Sequence, residues 1–309
     1  MRIGVVGACG YLGSALMRTL PAAFPSASFI FVDDFSTSSR DVIRGLAPTT
    51  RAVLLEGDIL EGHVRVPLGD VDVVMNLLPP TEQAGKIKTL DALASFLAPR
   101  GIPLVHVSST SVYGTATPVE TELPIEALKP MTRDGLAASL AERRLREFGV
   151  EEKLHFVVLR LAPLVGAAPG MHLKGEPQSW IWSVVSGAQP EVSPGILEHS
   201  RPYVTVEDAC LAVAKIVEQE RFDREPWNVF SAHVVGERFL DVIREQVPTV
   251  GHRTRSDSRP EYYAGPSELA LKKLERAGIP LTGSPIEAYR EVLASFSAFL
   301  PRKKSIDIV

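Results

Sequence analysis

MRIGVVGACGYLGSALMRTL, residues 1–20, and SFIFVDD, residues 28–34, decide the fold. Residues 2–6 are a short run rich in β-branched side chains and read as a buried strand. Gly7, Gly10 and Gly13 follow in a G-x-x-G-x-x-G spacing, and Leu12, Leu16 and Leu20 then recur at a helical period. Strand, glycine turn and helix are the three parts that a dinucleotide pyrophosphate requires. The first glycine makes the tight turn, the second admits phosphates to the backbone, and the third lets the helix pack on the strand. The helix start adds N–H groups and the positive end of its dipole. A second strand over 28–32 ends at Asp33, about the distance at which an acid binds the adenosine ribose hydroxyls. The bland alternative is a glycine-rich turn with no ligand; the strand before it, the helix after it and the acid beyond argue against that.

Outward from this unit, further strands are expected at 52–55, 71–76, 103–107 and 154–161, with helices at 87–97 and 135–148. Such alternation implies right-handed crossovers and an α/β fold, a doubly wound parallel sheet with helices on both faces. Beyond Pro163 the pattern loosens. Helices are expected at 179–186, 206–219, 239–247, 267–277 and 285–299, with a short strand at 227–230. Trp180 and Trp182 read as core packing, and the small residues of 166–175 suit a loop over a ligand. We expect a dinucleotide-binding domain over 1–163, completed by segments returning from the C-terminal half, and a smaller substrate lobe over 164–309. The lobe would lie on the C-terminal edge of the sheet, where open α/β sheets bind ligands.

Composition narrows the function class. The chain has 309 residues, 45% hydrophobic and 23% charged, ample for a full core in a soluble protein. A net charge of -4 without a long basic run gives no reason to expect nucleic acid or an anionic membrane as partner. Cys9 and Cys210 are the only cysteines, which excludes a disulfide framework and a zinc cluster and suggests a reducing, cytoplasmic setting. No apolar run reaches membrane-spanning length, and the chain begins directly on its first strand, so no signal peptide is expected. The basic tail Arg302-Lys303-Lys304 reads as a solvated end.

With these motifs in order, the chain resembles the extended short-chain dehydrogenases/reductases, and within them the NAD-dependent epimerase/dehydratase group that acts mostly on nucleotide sugars. The resemblance implies a Rossmann-type fold and NAD rather than NADP as cofactor. It places Gly7, Cys9, Gly10, Tyr11, Leu12 and Gly13 at the cofactor turn and makes Asp33-Asp34-Phe35-Ser36-Thr37 similar to the family's acidic turn. Asp58 and Ile59 fall on the segment that contacts adenine, and Leu77 on the segment after the fourth strand. Ser108-Ser109-Thr110-Ser111-Val112-Tyr113-Gly114 is similar to the signature after the fifth strand, with Ser109 on the active-site serine/threonine and Thr110 and Tyr113 on the substrate side. Arg201 opens a segment, RPYVTVED, that resembles one whose arginine holds a substrate diphosphate; Arg255 lies near a second such arginine. A nucleotide sugar is the implied substrate, and a homodimer is among the expectations because the family is often dimeric.

The departures cluster at the reaction centre. The family's dyad is Y-x-x-x-K on the helix after the fifth strand; here the tyrosine place falls on Asp134 and the lysine place on Ala138. Small residues after the fourth strand are replaced by Leu77-Leu78-Pro79-Pro80, a substrate-binding asparagine by Pro163, and a histidine by Thr205. Asp134 suits a base, since a carboxylate is ionised at neutral pH; its bland and favoured reading is an N-cap for the helix that follows, and the two roles are compatible. Ser109 has a bland reading as a hydroxyl satisfying its own loop, Tyr113 as core, His106 as a core or surface histidine, and Cys9 as a small residue that fits. Two functions stay open: an atypical NAD-dependent epimerase, dehydratase or ketoreductase using Ser109 and Asp134, and a non-catalytic sensor or scaffold that keeps the fold.

Overall fold

The computed structural model describes residues 1–44, 46, 50–78, 84–114, 118–256 and 268–300. The strands are β1 (Arg2–Val6), β2 (Ser28–Asp33), β3 (Ala52–Glu56), β4 (Val73–Asn76), β5 (Leu104–Ser109), β6 (Phe156–Leu161), β7 (Leu164–Val165), β8 (Glu191–Val192), β9 (Ser200–Thr205), β10 (Pro226–Val229), β11 (Ala232–Val235) and β12 (Arg253–Thr254). The helices are α1 (Tyr11–Ala23), α2 (Gly62–Arg65), α3 (Ala84–Leu97), α4 (Arg133–Glu151), α5 (Gln178–Val185), α6 (Val206–Glu218), α7 (Glu237–Gln246), α8 (Lys272–Arg276) and α9 (Pro285–Ser295).

Seven strands form one sheet in the order β10-β6-β5-β4-β1-β2-β3, and every pairing in it is parallel. The six strands expected from the sequence are its body, and the short run at 227–230 supplies the seventh as β10 beside β6. Burial on both faces explains their unbroken apolar sequences. Along each central strand, alternate residues enter different cores. Val5, Met75 and Val157 join Leu12, Leu16 and Leu20 of α1 and Ala209, Val213 and Ile216 of α6. Val6, Val74 and Val158 join Leu90, Leu93 and Leu97 of α3 and Leu145 and Phe148 of α4. A third core, around Trp180, Tyr203, Phe239 and Tyr289, belongs to the C-terminal half, where β11-β9-β7 and β12-β8 form two small sheets.

Two expectations are corrected. Trp182 is 57% exposed, because the apolar face of α5 is used by Trp180, Ile181 and Val184. The helix expected at 267–277 is confined to α8; ahead of it Leu269 makes a bridge to Val119 instead. Residues 79–80 and the basic tail at 302–304 lie outside the described residues.

Candidate active site at the C-terminal edge of the sheet

β1 to β3 run outward on one side of the sheet, and β4 to β6 on the other, so the strand order reverses between β1 and β4. A crevice opens there, beyond the strand ends. Gly7 follows β1 with φ +81, a conformation that side chains resist, and its N–H and that of Ala8 both donate to Val32 O at 2.9 and 3.1 Å. A Cβ on Gly13 would collide with the Gly7 and Ala8 carbonyls, so glycine there lets α1 close onto the turn. Gly10 is the N-cap of α1 and carries no side-chain cap. Among the described residues no acceptor is found for the N–H groups of Tyr11, Leu12 and Gly13, which leaves donors for an anion at the positive end of a 13-residue helix.

Asp33 ends β2 and is held from three sides. Its Oδ2 accepts from Cys9 N–H at 2.7 Å; its Oδ1 accepts from Phe35 N–H at 2.9 Å and from Ser38 Oγ at 2.7 Å. Asp34 is exposed and accepts from Ser36 N–H and Oγ. A cavity of about 270 Å³ joins Gly7, Gly10, Asp33, Asp34, Asp58, Ile59 and Leu77, and adds Ser36, Thr37, Leu78 and Thr89. Its size falls short of the ~300–1,000 Å³ of a whole small-molecule site. Ser36, Thr37 and Ser38 gain their place from a hydroxyl-rich run directly after the acid, a signal legible in the sequence. A larger cavity of about 440 Å³, between the end of α1 and the start of β2, lies at the opposite end of the strands. Its Arg18 already donates to the Ser14, Val42 and Arg44 carbonyls, and it lacks the converging groups of the crevice.

Other cofactor-turn residues contribute backbone rather than side chains. Cys9 is fully buried and its thiol is pushed up to about 12 by burial and then by Asp33; Cys210 is likewise raised to about 12, chiefly by burial. Neither is a nucleophile at neutral pH. The Leu12 side chain is buried in the core beneath α1.

The residues expected at the reaction centre lie at the end of β5 and the start of α4. Ser109 is half-buried, and its Oγ accepts from Ser111 N–H at 3.1 Å. Thr110 is buried. Tyr113, expected on the substrate side, is 5% exposed, donates to Asn228 Oδ1 and accepts from Arg160 Nη1 at 2.9 Å. Burial raises its hydroxyl to about 12 against the pull of Arg160. Arg160 also grips Glu142, 2.7 Å from Nη2 to Oε2, and Ser108 Oγ donates to Glu142 at 2.6 Å. Sequence reasoning misses that network, although Glu142 marks the register of the helix.

The N-cap reading of Asp134 is corrected as well. Thr132 caps α4, its Oγ1 accepting from Gly135 N–H at 2.8 Å, so Asp134 lies one residue into the first turn with its carboxylate exposed. Gly135 packs α4 against the Ser111 carbonyl, which sets Asp134 beside the loop that follows Ser109. Ala138, one turn further, is fully buried. Arg201 lies half-buried on β9 opposite Val234, and Arg255 follows β12 with its guanidinium 3.7 Å from Glu191. Among the described residues no group of His, Cys, Asp and Glu could hold a metal ion, and no helix is long and apolar enough to cross a membrane.

A doubly wound sheet with a glycine turn, an uncapped helix start and an acid ending its second strand at the switch point is the architecture of a dinucleotide-binding protein. The chain belongs to the NAD dependent epimerase/dehydratase family, whose model matches residues 3–229. It is 26% identical over 182 residues to a UDP-glucose 4-epimerase of Azospirillum brasilense, covering 54% of this chain and 50% of that protein; the chain thus spans about half the length of the curated relative it matches. Among solved structures it is similar to a UDP-glucose 4-epimerase of Thermotoga maritima with UDP-glucose (TM-score 0.79, 19% identity, 96% of this chain and 99% of that one). It is also similar to a dTDP-glucose 4,6-dehydratase of Streptomyces venezuelae with NAD bound (TM-score 0.82, 17% identity, 96% and 97%). At these identities the structural likeness speaks for the fold.

Proposed function

We propose that the protein binds NAD in the switch-point crevice and acts on a nucleotide sugar with a substituted acid/base. The crevice carries this reading: Gly7 and Gly10 of the turn that leads into the uncapped start of α1 line one cavity at the strand ends together with Asp33. Tyr11 and Leu12 N–H would hold the pyrophosphate, Asp33 the ribose hydroxyls, and Asp58 and Ile59 the adenine. A 2′-phosphate would meet the Asp33 charge, so NAD is preferred over NADP. When bound, the dinucleotide supplies reversible oxidation of a sugar carbinol. The chain's own part is to move the hydroxyl proton and to hold the substrate. Asp134, freed from capping by Thr132, serves as the base, with Ser109 relaying the proton by its hydroxyl. Arg201 and Arg255 serve the substrate phosphates, where a guanidinium fork suits paired oxygens.

A second reading, a nucleotide-binding protein without turnover, is favoured by a different observation. Ala138 is wholly buried in an apolar cluster and Tyr113 is committed to Arg160 and Asn228, so neither a cation nor a free phenol stands at the dyad. Asp134→Asn separates the two. Under the enzyme reading it abolishes turnover of the cognate UDP- or dTDP-sugar while NAD affinity, followed by titration calorimetry, is kept. Wild-type protein that binds NAD yet neither converts any sugar of such a panel, followed by product chromatography, nor forms NADH with it, followed by absorbance after anaerobic purification, sinks the enzyme reading. Tighter binding of NADP than of NAD sinks the cofactor assignment.

A further inference from the structure

The segment after β7 is fastened to the cofactor turn itself. Tyr11, the first residue of α1, donates its hydroxyl to the Gly166 carbonyl at 2.5 Å. Three residues later Ser14 Oγ accepts the Gly170 N–H at 2.9 Å. The His172 ring meets the Tyr11 ring edge-on, with centroids 5.7 Å apart. Between these anchors Gly170 lies flat on the turn: a Cβ there would stand 2.5 Å from the carbonyl oxygens of both Cys9 and Gly10. Residues 166–172 therefore cross the start of α1, beside the N–H groups that carry no cap.

We propose that 166–172 is a strap that retains the dinucleotide, an inference that rests on the cofactor reading above. A diphosphate held by Tyr11 and Leu12 N–H would lie at the edge of this segment, beside the turn that it covers. Its departure would require the strap to lift from the turn, which means breaking the Tyr11 and Ser14 bonds and parting the Tyr11 and His172 rings. Tyr11 (through its side chain), Ser14 and Gly170 are positioning residues: they set the strap, and the strap confines the ligand. The signature is kinetic. A strap that shuts behind the ligand slows its release far more than it affects encounter, so its loss appears in the dissociation rate.

The test uses the full chain preloaded with NADH and chased with excess NAD, following NADH fluorescence in a stopped flow. Tyr11→Phe removes the bond to Gly166 and Ser14→Ala the bond from Gly170, together with Ser14's own bond to the Tyr11 carbonyl within α1, and each should speed release about three- to tenfold, as the net worth of the strap bond implies. Gly170→Val, which forces the segment off the turn, should speed it further. Association rates should stay within about twofold of wild type. Unchanged release in Tyr11→Phe and Ser14→Ala, both melting as wild type does, overturns the strap. A loss carried by association alone overturns it too. Wild-type protein that binds no NADH overturns the cofactor reading and the strap with it, whereas binding with unchanged release in the variants overturns the strap only. Should Tyr11→Phe fail to fold, the milder Ser14→Ala carries the measurement.

Discussion

At the scale of single residues, the site turns on which side chains are spoken for. Counting from SSTSVYG to Glu142 assigns the places of the family's tyrosine and lysine to Asp134 and Ala138, an expectation that rests on a helix keeping its frame. Counting does not say which residue caps that helix, because threonine and aspartate both cap well and stand two apart at 132 and 134. The structure gives the cap to Thr132, and the two residues should separate on mutation. Thr132→Ala is expected to cost ~1 kcal/mol of stability in urea unfolding, and Asp134→Asn within about half of that, since the lost N-terminal charge is a surface term. Equal losses would return the cap to Asp134. Tyr113 gives the opposite contrast. Its hydroxyl, raised to about 12 and shared with Arg160 and Asn228, has no catalytic work in reach at neutral pH. Tyr113→Phe should therefore lower stability by ~1–3 kcal/mol, through the buried partners it leaves unpaired, and spare turnover. A collapse of turnover in a well-folded Tyr113→Phe would reinstate it at the reaction centre.

At the scale of elements, α4 is where fold and chemistry meet. Its inner face, Ala137, Ala138, Ala141, Leu145 and Phe148, is a helical stripe readable from the sequence. Its position along the sheet is fixed by something periodicity does not show. Glu142, 1% exposed, lies against the guanidinium of Arg160 on β6, 0% exposed, and accepts from Ser108 on β5. Two charges and a hydroxyl satisfied together in the core tie one helix to two strands at a single register. A residue pair 18 apart in sequence carries no local pattern, so only the fold reveals it. Removing one partner leaves the other charged and buried, which typically costs ~3–5 kcal/mol. Glu142→Ala should lose stability on that scale in chemical denaturation. A loss below about 1 kcal/mol would mean that water or relaxation reaches Arg160. The small sheets of the C-terminal half were less legible for the same reason: β7, β8 and β12 have two residues each, too short to show alternation.

For the whole molecule, a parallel sheet with helices on both faces followed from alternation and the handedness of crossovers, while its strand order came from the fold. Buried polar groups inside it did not follow, and one of them governs stability against pH. His106 sits mid-strand on β5, 2% exposed. Asn76 at the end of β4 accepts the Leu78 N–H at 3.3 Å through Oδ1, which turns its amide nitrogen toward His106 Nδ1 at 3.1 Å. Nδ1 is then the acceptor, so the ring proton resides on Nε2, a buried atom with no partner among the described residues. Protonating Nδ1 would set two donors face to face in an apolar setting, and burial accordingly lowers the pKa from 6.5 to about 4. In the unfolded chain the same ring titrates near its ordinary value, so the unfolded state takes up the proton first. The histidine thus costs nothing above pH 6.5, increasingly favours unfolding as pH falls from there, and reaches its full penalty near pH 4. A tenfold difference in proton affinity between folded and unfolded states is worth about 1.36 kcal/mol, so the full penalty is ~3 kcal/mol. His106→Leu removes the titration and leaves the Asn76 amide unpaired, a loss that does not vary with pH. Urea midpoints measured between about pH 7.5 and about pH 4.5 should therefore converge: wild type is more stable at the upper end, and its advantage shrinks or reverses at the lower. Parallel curves for the two proteins would show that His106 takes its proton in the folded state as readily as in the unfolded one, with the Asn76 amide free to turn and release it.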